Sequence, residues 1–346
     1  MKAVEGTRYI KERTKLETVV PLDTPFVLFV DPSSACNISC SFCPCGNSHK
    51  DLWSETRRKG VGTMPLELFR KILEDCKEFP EPIKVLRLYK EGEPLLNPHF
   101  EEMVALAKES GLFHAVDTTT NGLLLNPKRN RELVRAGLSR INISVEGLSS
   151  NAYQKICGAR IDFEEFRANI KDLYDHKGNC HIFIKTVAEE GTISGQAEDA
   201  AKKAHFEELF GDICDEISFE YPSPTWPGFE FEKEAPEVGI YGNEIRPCTV
   251  CPYIFYGMPV NSDGTVSLCF ADWNRQLLIG DVHDHTVAEL WHKMDCQRMA
   301  HLTGERKKMP ACNVCLQPEL TAIDRIDEFK EEILARMQNV QNIGER

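Results

Sequence analysis

The stretch ACNISCSFCPCG, residues 35–46, places cysteines directly after the first strand pattern of the chain, FVLFVD at 26–31. Cys36, Cys40 and Cys43 are separated by three and by two residues, so one tight loop can turn three thiolates towards a single small centre. Structural zinc sites usually take two separated pairs of ligands, and a ferredoxin-type cluster takes a fourth protein thiolate. The triplet fits neither pattern and predicts a reactive iron centre with one coordination position left open.

Strand and helix patterns alternate along the chain from residue 26 onwards. Short β-rich runs occur at 26–31, 84–89, 113–119, 140–145, 180–187 and 214–220. Helical patterns, with apolar residues every three or four positions, lie between them at 64–79, 98–110, 127–137, 162–177 and 197–210. Six such units predict an α/β fold with a parallel sheet, either open or closed into a partial barrel.

The pattern changes after residue 220. Residues 221–247 are rich in Pro, Gly, acidic and aromatic residues, which favours a linker or lid over a packed element. Beyond them, Asp263-Gly264 between two β-prone runs predicts a hairpin, and helical patterns follow at 286–301 and 320–338. The predicted organisation is an N-terminal extension (1–25), a core (26–220), a linker or lid (221–247), a small second domain (248–320) and a C-terminal helix (321–346).

The charge balance limits the partners of the chain. Asp and Glu total 54 against 41 Lys and Arg, a net charge of −13, which argues against binding to a nucleic-acid backbone or an anionic membrane. The N-terminus is too charged for a secretion signal, and no apolar run approaches the roughly 18 residues of a membrane span. We therefore expect a cytoplasmic protein, whose 14 cysteines are largely reduced and available for metal chemistry.

Three short polar motifs follow the next three strand patterns. KEGEPLLNP (90–98) follows the second strand, TTTNG (118–122) ends the third and ISVEG (143–147) ends the fourth. The carboxyl ends of parallel strands converge on one mouth, so these motifs are expected beside the cysteine loop.

The cysteine triplet and the three motifs, in this order, resemble the radical SAM superfamily over residues 26 to about 220. The resemblance implies a partial (β/α)6 barrel and a [4Fe-4S] cluster on Cys36, Cys40 and Cys43, whose open iron binds S-adenosylmethionine. Cys45, two residues after Cys43, is a possible fourth ligand, but it is more simply a bystander or a nearby sulfur. The residues that the resemblance assigns to S-adenosylmethionine are Gly92, Glu93, Pro94, Thr119, Asn121, Ser144 and Glu146. Among them, Gly92 permits close backbone approach and Glu93 accepts from the methionine ammonium.

A second set of cysteines lies in the second domain, at Cys251, Cys269, Cys312 and Cys315. The hairpin supplies Cys269 and the closing Cys-x2-Cys pair ends the set, so four thiolates can surround one centre. This arrangement resembles the SPASM/twitch extension of radical SAM enzymes, in a version with one auxiliary [4Fe-4S] cluster. Zinc is the alternative for four such cysteines, and Cys248 competes with Cys251 as a ligand.

The resemblance also implies the chemistry. Reductive cleavage of S-adenosylmethionine gives a 5′-deoxyadenosyl radical that abstracts hydrogen from a substrate, with electrons from a donor such as flavodoxin or ferredoxin. We expect a small polar substrate, such as a sugar, an aminocyclitol or a nucleotide sugar, and oxidation or epimerisation as the outcome. Cys248 and Cys157 are candidate hydrogen-atom donors, and Lys185, if it is not in a structural ion pair, is a candidate proton acceptor.

Two alternatives remain open from the sequence. Only about 25 residues precede the first strand, too few for the leader-binding domain of many peptide-modifying relatives, although a separate leader-binding protein would also permit peptide modification. The other alternative is a scaffold that binds clusters or zinc without turnover.

Overall fold

Ten strands form one sheet in the residues that the computed structural model describes, namely 3–6, 14–187, 196–220, 223–230, 239, 244–324 and 326–344. The strands are Val4–Glu5 (β1), Val27–Val30 (β2), Ile83–Arg87 (β3), Phe113–Thr120 (β4), Arg140–Val145 (β5), His181–Val187 (β6), Glu216–Glu220 (β7), Gly257–Val260 (β8), Thr265–Ser267 (β9) and Leu278–Asp281 (β10). Their order is β1-β7-β6-β5-β4-β3-β2-β8-β9-β10. The six predicted strands correspond to β2–β7.

Strands β2–β7 are parallel and neighbours in sequence are neighbours in the sheet. In β5 the apolar side chains of Ile141, Ile143 and Val145 are buried in the main core, whereas the alternate residues, including Asn142 and Ser144, are half-buried. Successive side chains of a strand point to opposite faces, so one face packs against helices and the other lines the barrel interior. The predicted α/β fold with a partial (β/α)6 barrel is confirmed.

Helices connect and cover the strands. They are Leu16–Val19 (α1), Glu55–Lys59 (α2), Leu66–Asp75 (α3), Phe100–Ser110 (α4), Pro127–Ala136 (α5), Ser150–Cys157 (α6), Phe163–Asp175 (α7), Gln196–Phe210 (α8), Tyr253–Tyr256 (α9), Val287–Lys293 (α10), Asp295–Leu302 (α11), Pro310–Asn313 (α12), Gln317–Thr321 (α13) and Lys330–Gly344 (α14). Local sequence sets several boundaries. The Asn126 side chain accepts hydrogen bonds at the start of α5, and Gly137 with φ +90° ends that helix.

The second unit continues the sheet of the core. β8 pairs in parallel with β2, and β9 and β10 follow in antiparallel order. The hairpin predicted at Asp263-Gly264 is confirmed, because Val260 pairs with Val266 and Gly264 adopts φ +90°. The division into domains stays a prediction, and much of the predicted linker at 221–247 lies outside the described residues.

Two helix predictions in the second unit were wrong in extent. The helix expected at 286–301 is divided at Met294 into α10 and α11, and the buried Arg298 donates a hydrogen bond to the Trp291 carbonyl at that point. The pattern at 320–338 forms the end of α13, a 3-10 turn at Asp327–Phe329 and most of α14. Strands β1 and β10 and helices α2 and α6 were not predicted.

No helix within the described ranges combines the length and the apolar character needed to cross a membrane.

Candidate functional site

The cysteine loop is anchored on the end of a helix. The backbone N–H groups of Ser39 and Ser41 donate to the carbonyls of Cys157 and Ile156, at 3.0 Å each. These carbonyls belong to the last turn of α6, which leaves its final carbonyls without partners inside the helix. A helix that the sequence did not predict therefore fixes the loop, which then turns tightly as Cys43 N–H donates to the Cys40 carbonyl.

One cavity of about 270 Å³ adjoins the loop at the carboxyl ends of the barrel strands. It brings together the residues of the cysteine loop and of all three motifs. From the loop it is lined by Cys36, Ile38, Cys40, Phe42, Cys43, Cys45 and Gly46; from the motifs by Glu91, Gly92, Glu93, Thr119, Thr120, Asn121, Ser144 and Glu146; and from the far wall by Lys185, Glu220, Ser223, Thr225 and Trp226.

Glu93 ties the second and third motifs together. Its buried carboxylate accepts hydrogen bonds from Leu95 N–H at 3.0 Å, Thr120 Oγ1 at 2.6 Å and Asn121 N–H at 2.8 Å. Burial raises the pKa of this carboxyl, and these hydrogen bonds oppose the shift. Pro94 begins the 3-10 turn that Glu93 caps, and it is buried away from the cavity.

Gly92 and Asn121 attach the motifs to the cysteine loop. A Cβ on Gly92 would lie 2.2 Å from the carbonyl oxygen of Ala35 and 2.3 Å from that of Ser33, so only glycine fits. The close backbone approach that Gly92 permits is therefore to the cysteine loop. Asn121 Nδ2 donates to Asn37 Oδ1 at 2.7 Å.

The far wall of the cavity is a charged group formed by three neighbouring strands. Ser144 and Lys185 are paired residues of β5 and β6, and Lys185 Nζ lies 3.0 Å from Glu220 Oε2 at the end of β7. Glu146 completes the group. Burial raises the pKa of Glu146 to about 7, with the Lys185 ammonium opposing the shift and the Glu220 carboxylate adding to it.

Neither predicted cysteine hydrogen donor lines the cavity. Cys157 is buried at the end of α6 and is hydrogen-bonded to the Cys40 side chain, behind the loop. Cys248 is buried in the second unit, where its thiol donates to the Val250 carbonyl at 3.2 Å. Cys45, by contrast, lines the cavity and is hydrogen-bonded to Cys43.

The structure brings the second cysteine set together. Burial raises the pKa of Cys251, and the nearby thiols of Cys269 and Cys315 raise it further. The pKa of Cys269 is likewise raised by burial and by the nearby thiols of Cys312 and Cys315. Within the described residues, no three Cys, His, Asp or Glu side chains converge closely enough to hold a single metal ion. A [4Fe-4S] cluster takes its four thiolates around a larger body, one for each iron.

Arg306 supports the second cysteine set through hydrogen bonds, and no sequence pattern predicted this role. Its buried guanidinium donates to the carbonyls of Cys248 at 2.6 Å and Cys315 at 2.8 Å. The Ala271 N–H donates to the Cys269 sulfur at 3.4 Å. Cationic and N–H donors around thiolates favour the negative charge of an iron-sulfur cluster.

A buried ionic network lies between the two cysteine sets. Glu91 is fully buried and forms ion pairs with Lys90, Arg57 and Arg275. Arg57 Nη1 also donates to the Trp273 carbonyl at 2.7 Å, four residues after Cys269. The network therefore attaches the second motif to the segment that carries an auxiliary cysteine.

Several cavity residues were missed from the sequence. Glu220 could have been found, because it ends the sixth strand on the face that strand alternation points inward. Ser223, Thr225 and Trp226 lie in an irregular segment that has no periodic signal.

Comparisons with known proteins agree with this geometry. The family model described as the radical SAM superfamily matches residues 30–190, and the SPASM model, described as an iron-sulfur cluster-binding domain, matches residues 251–316. Residues 30–190 therefore form a radical SAM domain, and residues 251–316 form a SPASM iron-sulfur cluster-binding domain. The cofactors of these two domains are S-adenosylmethionine on a [4Fe-4S] cluster and an auxiliary iron-sulfur cluster.

The chain is similar to curated proteins of more than one activity. It is 33% identical over 121 residues to a tungsten-containing aldehyde ferredoxin oxidoreductase cofactor-modifying protein of Pyrococcus furiosus, covering 35% of this chain and 31% of that protein. It is 25% identical over 301 residues to a GTP 3′,8-cyclase of Aquifex aeolicus, covering 77% and 88%. The matches to the first curated relatives span only about a third of their length.

Solved structures share the fold at low sequence identity. SuiB of Streptococcus suis bound to the precursor peptide SuiA has a TM-score of 0.62 at 15% identity, with 90% of this chain and 74% of that chain covered. BtrN in complex with AdoMet and 2-DOIA has a TM-score of 0.52 at 18% identity, with 84% and 92% covered.

Proposed function

We propose that Cys36, Cys40 and Cys43 hold the [4Fe-4S] cluster that binds S-adenosylmethionine, and that the second cysteine set holds the auxiliary cluster. The observation that carries this proposal is the single cavity onto which the three thiols and all three motifs open. When bound, the first cluster supplies the electron that cleaves S-adenosylmethionine to the hydrogen-abstracting 5′-deoxyadenosyl radical.

The motif residues of the cavity would bind the cofactor. Glu93 has spare acceptor capacity for the methionine ammonium, while Thr119, Asn121 and Ser144 present hydroxyl and amide groups along the adjacent strand ends. Gly92 and Pro94 act through the backbone, Gly92 by its contact with the cysteine loop and Pro94 by starting the turn below Glu93.

The charged group of Glu146, Lys185 and Glu220 would bind the substrate, which we infer to be a small polar molecule with hydroxyl or amino groups. The two carboxylates can accept hydrogen bonds from such groups, and the ammonium can donate hydrogen bonds to them. Lys185 already forms an ion pair with Glu220, so we assign proton acceptance to Glu146 and orientation of the substrate to Lys185.

The same group disfavours a triphosphate substrate such as the GTP in the names of several relatives. Lys185 is the single cationic side chain among the described residues that line the cavity, and Glu220 already neutralises it. A triphosphate would meet two carboxylates with no free cation to offset its charge.

Oxidation is favoured over epimerisation. Epimerisation needs a hydrogen-atom donor to the substrate radical, and both cysteines predicted for that role lie outside the cavity lining. Cys45 does line the cavity, but its side chain is hydrogen-bonded to Cys43, a proposed cluster ligand. Oxidation needs the hydroxyl proton to leave, and Glu146 lines the cavity. A peptide substrate remains the alternative. We place the enzyme in the cytosol, because reducing conditions there keep cysteines available as cluster ligands.

Substitution of Lys185 tests this assignment. Anaerobic protein is incubated in heavy water with S-adenosylmethionine, dithionite and a panel of amino sugars, aminocyclitols and short peptides. Lys185→Met is expected to lower product formation by about 100-fold while 5′-deoxyadenosine still forms without coupling to product. Lys59→Met, at an exposed lysine, is the matched control.

Three results would contradict the proposal. Deuterium retained at carbon in the product would exclude simple oxidation. Turnover of peptides alone would exclude the small substrate. Unchanged product formation by Lys185→Met would exclude the charged group as the substrate site.

A further inference from the structure

Two further cysteines lie against two of the proposed ligands of the first cluster. The Cys45 side chain is hydrogen-bonded to Cys43, and the Cys157 side chain is hydrogen-bonded to Cys40. Cys45 and Cys157 are almost completely buried, with 2% and 1% of their surfaces exposed. The proposed reaction uses neither of them as a ligand or as a hydrogen-atom donor. A buried free thiol therefore accompanies each of two ligand thiols.

A tight turn and a tryptophan hold Cys45 beside Cys43. The Gly46 N–H donates to the Cys43 carbonyl at 3.3 Å and closes a turn. Pro44 and Cys45 are the two central residues of this turn, and proline favours the first of these positions. Trp53 Nε1 donates to the Pro44 carbonyl at 2.8 Å, and the same tryptophan shares a buried apolar cluster with Cys45, against which Cys43 packs. Both the backbone of the loop and the packing around it therefore fix this pair of sulfurs.

The end of α6 holds Cys157 against the cysteine loop. Cys157 is the last residue of this helix, and its carbonyl accepts a hydrogen bond from the Ser39 N–H at 3.0 Å. Gly158, with φ +64°, ends the helix at this point. Ser39 directly precedes Cys40 in the chain, so the backbone contact that anchors the loop also brings the second pair of sulfurs together.

The binding of iron determines the direction of both hydrogen bonds. A cysteine that binds iron does so as a thiolate, which accepts hydrogen bonds and has no proton to donate. The neighbouring free thiol must then be the donor in each pair. Hydrogen bonds to the sulfurs are among the factors that set the reduction potential of an iron-sulfur cluster, because they stabilise its more negative, reduced state. Burial strengthens this effect, since the local dielectric constant is low.

We propose that Cys45 and Cys157 are positioning residues, whose thiols donate hydrogen bonds to Cys43 and Cys40 and thereby raise the reduction potential of the first cluster. The inference rests on the proposed function, which assigns this cluster to the cysteine triplet. Reduction of the cluster precedes cleavage of S-adenosylmethionine. The two thiols therefore allow a weaker reductant to start the reaction.

Anaerobic redox titration of the holoenzyme, followed by electron paramagnetic resonance, tests this role. The signal of the first cluster is identified by its change on addition of S-adenosylmethionine. Cys45→Ala and Cys157→Ala are each expected to lower the one-electron reduction equilibrium constant of this cluster about fivefold, which is roughly 40 mV at 59 mV per tenfold change. Cys45→Ser and Cys157→Ser keep a donor and are expected to restore at least half of the shift. Cys76→Ala and Cys180→Ala, at buried thiols outside the cavity lining, are the matched controls.

Four outcomes would overturn the proposal. They are an unchanged potential in either alanine variant, an equal decrease in the controls, a decrease that serine does not restore, and loss of about four irons from Cys45→Ala. The third would show that only packing is involved, and the fourth would show that Cys45 is itself a ligand. A wild-type protein in which no cluster signal responds to S-adenosylmethionine would instead contradict the proposed function.

Discussion

The two cysteine sites of this enzyme are built in opposite ways. The first gathers its thiols from eight consecutive residues, 36–43, but the walls around them come from five strands of the barrel. The second collects its thiols from residues 251 to 315, but its support comes from nearby segments, chiefly Arg306 and the backbone of residue 271. In this protein, closely spaced cysteines belong to a site whose walls are supplied by other strands. Widely spaced cysteines belong to a site that is supported mainly by the segments that carry them.

The surroundings of the thiols differ in the same sense. The first set borders a polar cavity, while none of the four auxiliary cysteines is among the described residues that line it. A site that binds a cofactor and a substrate needs such a space. A site that only exchanges electrons needs four thiolates and the charges that stabilise them.

Removing one thiol from each site gives the largest contrast. Cys40→Ala is expected to abolish 5′-deoxyadenosine formation, because the proposed first cluster would lose one of its three protein ligands. Cys315→Ala is expected to keep this cleavage and to lose product formation. The iron content per chain, measured by iron and sulfide analysis, should fall from about eight to about four atoms in each variant. Loss of cleavage in both variants would show that the sites do not have separate roles.

The pH dependence of product formation tests the role of the charged group, which only the first site has. Glu146, with a pKa raised to about 7, accepts a proton only as the carboxylate, so product formation should fall as the pH decreases through about 7. Glu146→Gln is expected to give a low, flat profile while the Kd for S-adenosylmethionine, measured separately, stays within a few-fold. A pH limb that persists in this variant would assign the proton to another group.

A substitution at the contact between the second motif and the cysteine loop is expected to have a smaller effect, on stability. Gly92→Ala would place a methyl group against the backbone of Ser33 and Ala35, so we expect a loss of about 2 kcal/mol in the free energy of unfolding and weaker retention of iron. Gly62→Ala is the matched control, since a Cβ there meets no atom within 4 Å. Equal thermal melting curves for the two variants would show that the loop does not need this contact.

The sequence allowed much of the core to be predicted, and less of the second unit. Strands and helices with strong periodicity were found close to their observed bounds, because alternation and 3.6-residue repeats report burial directly. Strand β10 and the division at Met294 were missed. A short edge strand depends on pairing with its neighbour, and the buried Arg298 next to the division donates to the distant Ile254 carbonyl.

The candidate site divides along the same line. The three motifs could be placed beside the thiols because parallel strand ends converge. The positions of Cys157 and Lys185 could not be foreseen. Cys157 contacts Cys40 because α6 ends beside the cysteine loop. Lys185 is in an ion pair because β7 places Glu220 next to it.

The sequence by itself determined which chemistry this protein carries, because cysteine spacing and strand-end motifs are local properties that survive without any knowledge of packing. Only the tertiary structure decided which polar groups face the thiols and which cysteines are withdrawn from the cavity. These outcomes depend on contacts between residues far apart in the chain, such as Lys185 with Glu220 and Arg306 with Cys248, whose pairing follows from the register of the sheet and the docking of helices.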